Sequence, residues 1–190
     1  MPDSIRVFIA VPIPATPALR QILARLGLLG DAVKPVDVDN LHVTLKFLGQ
    51  TPIDQIPKIV NVMRNAADGE TAFTAEIIGL GAFPRPERPS VVWAGLHEAD
   101  GLSRMAERLE QRLAPLGFPS ERRPFHPHLT LARVRRKPPA DLADLLRNRR
   151  VTEFGSTDIE TIQLFQSEPG PSGPRYRSLS TVGLASSTNC

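Results

Sequence analysis

The chain has 190 residues, of which 41% are hydrophobic, a net charge of +3 and one cysteine, Cys190. This composition is typical of soluble globular proteins, and a single cysteine excludes an intrachain disulfide or a cysteine metal cluster. No apolar run approaches the roughly 18 residues of a membrane helix, and the short run 7–11 lacks a signal-peptide cleavage site, so we predict a cytoplasmic protein.

In the first half, the spacing of apolar residues predicts strands that alternate with helices. Leucine and isoleucine recur at helical spacing behind Pro17, a residue that suits the first turn of a helix. The predicted elements are a strand at 5–13, a helix from 17 to between 27 and 30, a strand ending at 49, a helix at 51–68 and a strand at 71–80.

A stretch rich in glycine and proline, 79–90, separates this half from a second one in which strand, helix and strand recur. We therefore predict a single domain whose lobes correspond to halves at about 1–85 and 90–190, with a duplicated α+β architecture. The predicted elements of the second half are a strand at 91–96, a motif strand within 126–134, helices at 101–116 and 142–146, and closing strands at 159–166 and 176–184.

A four-residue motif, His-x-Thr-Leu, occurs once in each half, at His42 and at His128. On a strand, side chains alternate between the two faces, so each histidine shares a face with the threonine two residues later, Thr44 or Thr130. The chain contains only four histidines, which makes a chance repeat improbable. The repeat predicts two motif strands that face each other across a pseudo-two-fold cleft.

Two imidazoles on opposite sides of a bound substrate suit general acid and base catalysis by a pair of rings. Because imidazole titrates near pH 6.5, one ring can accept a proton from water while the other gives one to the departing oxygen. Each strand thus offers an imidazole and a hydroxyl on one face. The residues alone leave open which histidine is the acid.

The paired motifs and their flanking sequence resemble the two-histidine (2H) phosphoesterase superfamily, and within it the RNA 2′,3′-cyclic phosphodiesterases, also called 2′-5′ RNA ligases. The resemblance extends over nearly the whole chain. The matching segments are RVFIA at 6–10, NLHVTLKFLG at 40–49, GAFP at 81–84, VWAG at 92–95, PHLTLAR at 127–133, LFQS at 164–167 and GPRY at 173–176.

The resemblance implies two antiparallel sheets with outer helices, and hydrolysis of a cyclic phosphodiester that needs no metal and no cofactor. Thr44 and Thr130 would then donate hydrogen bonds to the equatorial phosphate oxygens. The resemblance also implies that His128 is the base that activates water and His42 the acid that protonates O3′, which leaves a 2′-phosphomonoester. Arg133 corresponds to the family's phosphate-contacting arginine. Strict alternation from His128 would put Arg133 on the opposite face, so we predict a bulge or strand end that turns it into the cleft.

Four further residues are assigned by alternation alone. His126 shares the face of His128 and is predicted to line the cleft or its rim, because no nearby carboxylate or cysteine completes a metal site with the pair. Lys46 shares the face of His42 and is predicted to reach a phosphate or the rim. Phe8 lies away from the core face of its strand and is a candidate for base stacking, whereas Phe47 is predicted to be in the core.

The predicted partner is RNA with a 2′,3′-cyclic phosphate end, including tRNA fragments and cyclic nucleotides, bound by a monomer. Residues 120–150 contain nine Arg or Lys and three acidic residues, a local charge of +6 that would attract a polyanion, although it also fits an ordinary solvated face. Two alternatives remain: hydrolysis of another small cyclic phosphate, such as ADP-ribose 1″,2″-cyclic phosphate, and a non-catalytic module that binds RNA ends.

Overall fold

Two antiparallel sheets carry the motif strands. The computed structural model describes residues 3–171 and 173–186, so Cys190 lies outside the described residues. The strands are β1 (Ser4–Pro12), β2 (Val33–Pro35), β3 (His42–Pro52), β4 (Phe73–Phe83), β5 (Val91–His97), β6 (His128–Val134), β7 (Glu153–Ile159), β8 (Thr161–Glu168) and β9 (Arg175–Gly183). The α-helices are α1 (Pro17–Gly27), α2 (Ile56–Ala67), α3 (Asp100–Leu113) and α4 (Ala140–Asn148).

The four predicted helices are confirmed, because each has a clear apolar face. In α1, the Thr16 hydroxyl accepts a hydrogen bond from the backbone N–H of Leu19 (3.1 Å), which caps the helix directly before Pro17. The residues of α1 that are buried are those whose helical spacing predicted it: Leu19, Ile22, Leu23 and Leu26.

The predicted strands differ from the structure in three places. β3 does not stop at Gly49 but continues to Pro52, because Gly49 adopts a positive φ of 74° and its backbone stays paired with β1. β2 was not predicted, since three residues are too short for a pattern. β7 was also missed, because this edge strand pairs with β4 alone and its exposed face is polar.

The order of strands is β3-β1-β8-β9 in one sheet and β2-β6-β5-β4-β7 in the other. In each sheet the motif strand, β3 or β6, lies beside the first strand of its own half, β1 or β5. The next strand in the sheet, β8 or β4, comes from the other half of the chain. The prediction that halves at about 1–85 and 90–190 form separate lobes is therefore wrong for the sheets. The predicted α+β class, with two antiparallel sheets, is confirmed.

The core is shared by both sheets. Buried apolar residues from the two sheets and from all four α-helices form one cluster, including Ile9 of β1, Val43 of β3 and Leu129 of β6. The inward residues of the motif strands thus anchor them in the core, while their other faces are left to form the cleft. Within the described residues, no helix has the length and apolar character needed to span a membrane.

Candidate active site

The first motif strand contains a bulge directly after its threonine. Thr44 pairs with Ala10 and Lys46 with Ile9, so β3 has one residue more than β1 over this interval. A bulge of this kind reverses the alternation of faces beyond it. Phe47 therefore shares the cleft side with His42, and it is 58% exposed.

The predictions for Lys46 and Phe47 are wrong for this reason. Lys46 is only 2% exposed and does not line the cleft. Its ammonium group donates hydrogen bonds to Glu110 Oε1 (2.8 Å) and to the backbone carbonyl of Pro119 (2.6 Å). Phe47, expected in the core, instead packs beside Phe8 with 6.2 Å between ring centroids.

The second motif strand has a bulge at the same place. Trp93 of β5 pairs with Thr130, and Val92 pairs with Ala132, which leaves Leu131 as the additional residue. Arg133 is thereby exposed on the side of the site, as the bulge prediction required. Its positive charge lowers the pKa of His42 in the first motif.

The two catalytic candidates are held in matching ways. The Nδ1–H group of His42 donates to the backbone carbonyl of Asn40 (2.6 Å), and that of His128 donates to the carbonyl of His126 (2.7 Å). Because a carbonyl can only accept, each neutral ring has its proton on Nδ1 and leaves Nε2 as the atom that exchanges protons. The same tautomer is thus fixed in both motifs.

Aromatic rings surround both imidazoles. His42 contacts Phe8, with ring centroids 5.1 Å apart, and the edge of Tyr176 at 5.2 Å. His128 contacts Phe83 at 5.0 Å, and Trp93 lies 6.3 Å away. These contacts restrict ring rotation and remove water from one side of each imidazole.

The pKa values of both histidines are lowered from their usual value. For His42 the main cause is burial, opposed by the hydrogen bond to the Asn40 carbonyl, and the charges of Arg133 and His128 lower this pKa further. For His128 the main cause is again burial, opposed by the hydrogen bond to the His126 carbonyl, and the charge of the His126 ring lowers the pKa further. The lowered pKa values favour the neutral form of both rings in the free protein.

A cavity of about 140 Å³ lies beside His42. It is bounded by the segment before the first motif and by β8 and β9. The Asn40 side-chain amide of that segment donates to the carbonyl of Pro174, directly before β9 (3.1 Å). Gln163, Phe165 and Tyr176 also line it. The cavity is next to the imidazole and contains both polar and aromatic groups.

The remaining predicted residues differ in how they meet the site. Thr44 and Thr130 are half-buried on the same face as their histidines. Phe8 does line the cavity, but it is only 4% exposed and packs against other rings, which leaves little surface for a base. His126 is exposed at the rim, with its ring 5.5 Å from that of Trp93.

Sequence reasoning gave no role to Tyr176, Phe165 or Trp93, although all three were within the segments that carry the family resemblance. Tyr176 is the only tyrosine of the chain and follows a loop rich in glycine and proline, which was the available signal. Burial raises the pKa of its phenol, while Arg133 and Arg6 lower it in part. The phenol therefore stays protonated near neutral pH and can donate a hydrogen bond.

No group of three or more His, Cys, Asp or Glu side chains within residues 3–171 and 173–186 is arranged to hold a metal ion. The His126-x-His128 pair thus has no third ligand of these types in the described part of the chain. The candidate site is thus made up of two imidazoles, two hydroxyls, a phenol and a guanidinium.

Replacing Arg133 with glutamine should raise the pKa of His42, because the guanidinium charge disfavours the imidazolium. The pKa is measured by following the ring proton resonances of His42 in an NMR titration. Arg64→Gln, on the outer helix α2, is the matched control and should leave the titration as it is. A pKa for His42 that is unchanged or lower in Arg133→Gln would show that Arg133 does not face the ring.

Comparison with known proteins agrees with this geometry. The family model described as 2′-5′ RNA ligase superfamily matches residues 11–171. The chain is 40% identical over 172 residues to the RNA 2′,3′-cyclic phosphodiesterase of Aeropyrum pernix, covering 89% of this chain and 94% of that protein. It is 36% identical over 177 residues to the protein of the same name from Archaeoglobus fulgidus, covering 92% and 97%.

Solved structures agree with the sequence matches. The crystal structure of TT0787 from Thermus thermophilus superposes with a TM-score of 0.78 at 32% identity, covering 96% of this chain and 99% of that one. The structure of E. coli LigT complexed with 3′-AMP gives a TM-score of 0.74 at 27% identity, with the same coverage. With its paired motif strands and a match over most of its length, this chain belongs to the 2′-5′ RNA ligase superfamily.

Proposed function

We propose that the protein hydrolyses the 2′,3′-cyclic phosphate at the end of an RNA to a 2′-phosphomonoester. The observation that carries this proposal is the matched pair of imidazoles, each with Nδ1–H bonded to a carbonyl and Nε2 left for proton transfer. The relatives named RNA 2′,3′-cyclic phosphodiesterase support the substrate class, and the LigT complex supports a nucleotide site. We expect tRNA fragments and cyclic nucleotides to be accepted, by a monomer in the cytoplasm.

In this proposal the reaction is a single displacement at phosphorus. His128 Nε2 takes a proton from water as its oxygen bonds to phosphorus, and His42 Nε2 gives a proton to O3′ as the P–O3′ bond breaks. Each ring ends in the protonation state in which the other began, and solvent restores both. Proton transfer of this kind contributes about 10² to 10⁴ in rate for each group.

The other polar groups would stabilise the charge on phosphorus. Thr44 and Thr130 would donate to the two non-bridging oxygens, and Arg133 would balance their negative charge. The same groups could act when a 5′-hydroxyl replaces water, which would form a 2′-5′ linkage without ATP. We expect hydrolysis to dominate, since water is present at far higher concentration than any RNA 5′ end.

The direct test is incubation of the purified protein with a 2′,3′-cyclic nucleotide in the presence of EDTA, with separation of the products by chromatography. The expected product is the 2′-phosphomonoester, at a rate that EDTA does not lower. Formation of the 3′-phosphomonoester would show that the P–O2′ bond is broken, and would contradict the predicted cleavage of the P–O3′ bond. No product, or product only after metal is added, would contradict the proposed function.

The dependence of kcat/KM on pH should be bell-shaped and centred below about pH 6.5, the usual pKa of histidine, because both pKa values are lowered in the free protein. In the complex, the phosphodiester anion favours the imidazolium form and raises both pKa values, so the kcat profile should be centred at higher pH. Initial rates between pH 4.5 and pH 8.5, roughly two units on either side of the usual pKa, test both expectations. A kcat/KM profile centred above pH 7, or two superimposable profiles, would contradict them.

A further inference from the structure

A strongly basic surface lies at one end of the cleft, and we call it the basic rim. It consists of two segments, 84–90 between β4 and β5 and 133–139 from the end of β6 to the start of α4. Together these 14 residues contain six Arg or Lys and one acidic residue, Glu87, a net charge of +5. The cations are Arg85, Arg88, Arg133, Arg135, Arg136 and Lys137.

The two segments form one continuous surface. The backbone N–H of Val134 donates to the carbonyl of Ser90 (2.9 Å), which joins the end of β6 to the end of the 84–90 turn. Beyond this bond, a shallow cavity of about 280 Å³ lies between Pro86 and Pro89 on one side and Lys137 and Pro139 on the other. The two segments are therefore neighbours, although they lie about 50 residues apart in the chain.

The basic rim is also continuous with the candidate active site at two points. Phe83, the residue before the 84–90 segment, packs its ring against His128 with 5.0 Å between centroids. Arg133, the first residue of the other segment, lowers the pKa of His42 by its charge. A chain of phosphates that leaves the site toward this end meets the basic rim directly.

The cations of the basic rim are exposed, and within residues 3–171 and 173–186 none of them forms an ion pair with a carboxylate. In the same part of the chain, the cations Lys46, Arg104, Arg108 and Arg147 are paired with carboxylates. Five net positive charges on one surface repel each other, and the protein supplies few charges there that relieve this repulsion. An external polyanion would relieve it.

We propose that the basic rim binds the RNA chain on the 5′ side of the nucleotide that carries the cyclic phosphate. This rests on the proposed function and deepens it, because it makes an oligonucleotide, rather than a cyclic mononucleotide, the preferred substrate. The contacts are to backbone phosphates through exposed Arg and Lys, so the preference is independent of sequence and weakens with salt.

The test compares two substrates that differ only in length, cytidine 2′,3′-cyclic phosphate and a single-stranded oligonucleotide that ends in the same nucleotide. The variant Arg135→Gln/Arg136→Gln/Lys137→Gln removes three charges from the basic rim without touching Arg133. It should lower kcat/KM for the oligonucleotide at least tenfold more than for the mononucleotide. It should also reduce the slope of log(kcat/KM) against log[salt] by about 2, because each phosphate contact on a single strand contributes about 0.7.

Two control variants make the outcome specific. Lys58→Gln/Arg64→Gln removes two exposed charges from the outer helix α2 and should preserve the preference for the oligonucleotide. Arg175→Gln/Arg177→Gln removes exposed charges from β9, on the other sheet, and tests whether the RNA chain runs along β9 instead. A larger loss for this β9 variant than for the basic-rim variant, or an equal loss on both substrates in the basic-rim variant, would overturn the proposal.

Binding separates this inference from the proposed function. If the wild-type protein hydrolyses neither substrate, the affinity for a fluorescent oligonucleotide with a 3′-phosphate end, measured by anisotropy, still reports on the basic rim. A tenfold weaker affinity in the triple variant supports the surface even if the chemistry is different. An affinity equal to that of the wild-type protein, at low and at high salt, overturns it.

Discussion

Replacement of either His42 or His128 with alanine should lower kcat for a 2′,3′-cyclic nucleotide by about 10² to 10⁴, because each removes one of two proton transfers. The fold should survive, since both imidazoles lie on the cleft side of their strands and the core contacts come from the inward residues Val43 and Leu129. Circular dichroism and thermal unfolding check the fold, and initial rates with saturating substrate check kcat.

The matched control is His97→Ala, which removes an exposed histidine at the end of β5 and should leave kcat within about twofold, as expected for a surface change away from the site. The double variant His42→Ala/His128→Ala should be only slightly slower than each single variant, because groups that act as a unit have non-additive effects. If either single variant retained more than a tenth of the wild-type kcat, that histidine would have no part in proton transfer.

The helices could be predicted because each buries a regular apolar face, and the same holds for the inward residues of the motif strands. The site could be predicted in outline because a histidine and a threonine two positions apart share a face whatever the strand pairs with. These are local properties of the chain. They do not depend on which element becomes a neighbour.

The assignment of strands to the two sheets could not be predicted. β4 follows the first motif in sequence but lies in the sheet of the second, and β8 follows the second motif but lies beside β1. Local patterns are the same whether a third strand joins its own half or the other one. The exchange between the halves is decided by long-range packing, which one sequence does not reveal.

The bulge after each threonine explains why Arg133 lies on the same face as His128, whereas Lys46 does not lie on the face of His42. Periodicity alone cannot show a bulge, because the sequence Leu-Lys-Phe fits uninterrupted alternation as well as interrupted alternation. The bulge in β6 was predicted only because the family resemblance required Arg133 in the cleft. Since the two motifs are repeats, the same bulge in β3 would have placed Lys46 inside and Phe47 outside.

The buried Lys46 connects the two motif strands, so its replacement should have the second large effect, on stability and on kcat. Its ammonium group binds the carbonyl of Pro119, and the other oxygen of its partner Glu110 accepts from the backbone N–H of Glu121 (3.1 Å). Both backbone groups belong to the segment that leads to His126, whose carbonyl orients His128. A residue in the first motif strand thus fixes the backbone of the segment that precedes the second motif strand.

Lys46→Met keeps the length of the side chain but removes its charge, so it leaves the Glu110 carboxylate without its partner. We expect a loss of about 3 kcal/mol in the free energy of unfolding, the lower end for a broken buried ion pair, because the Glu110 side chain keeps 23% of its surface exposed. Urea unfolding measures this loss. Arg147→Gln, which breaks the exposed pair with Asp144, is the control and should cost at most about 0.5 kcal/mol.

The double variant Lys46→Met/Glu110→Leu separates stability from positioning. It replaces the pair with apolar side chains and should recover most of the lost stability, since no unpaired charge remains. It still lacks the hydrogen bonds to the Pro119 carbonyl and the Glu121 N–H that hold the segment before His128. We therefore expect kcat to be about tenfold below that of the wild-type protein, a barrier about 1.4 kcal/mol higher. If kcat returned together with stability, Lys46 would serve the core alone, and the link between the motifs would have no effect on catalysis.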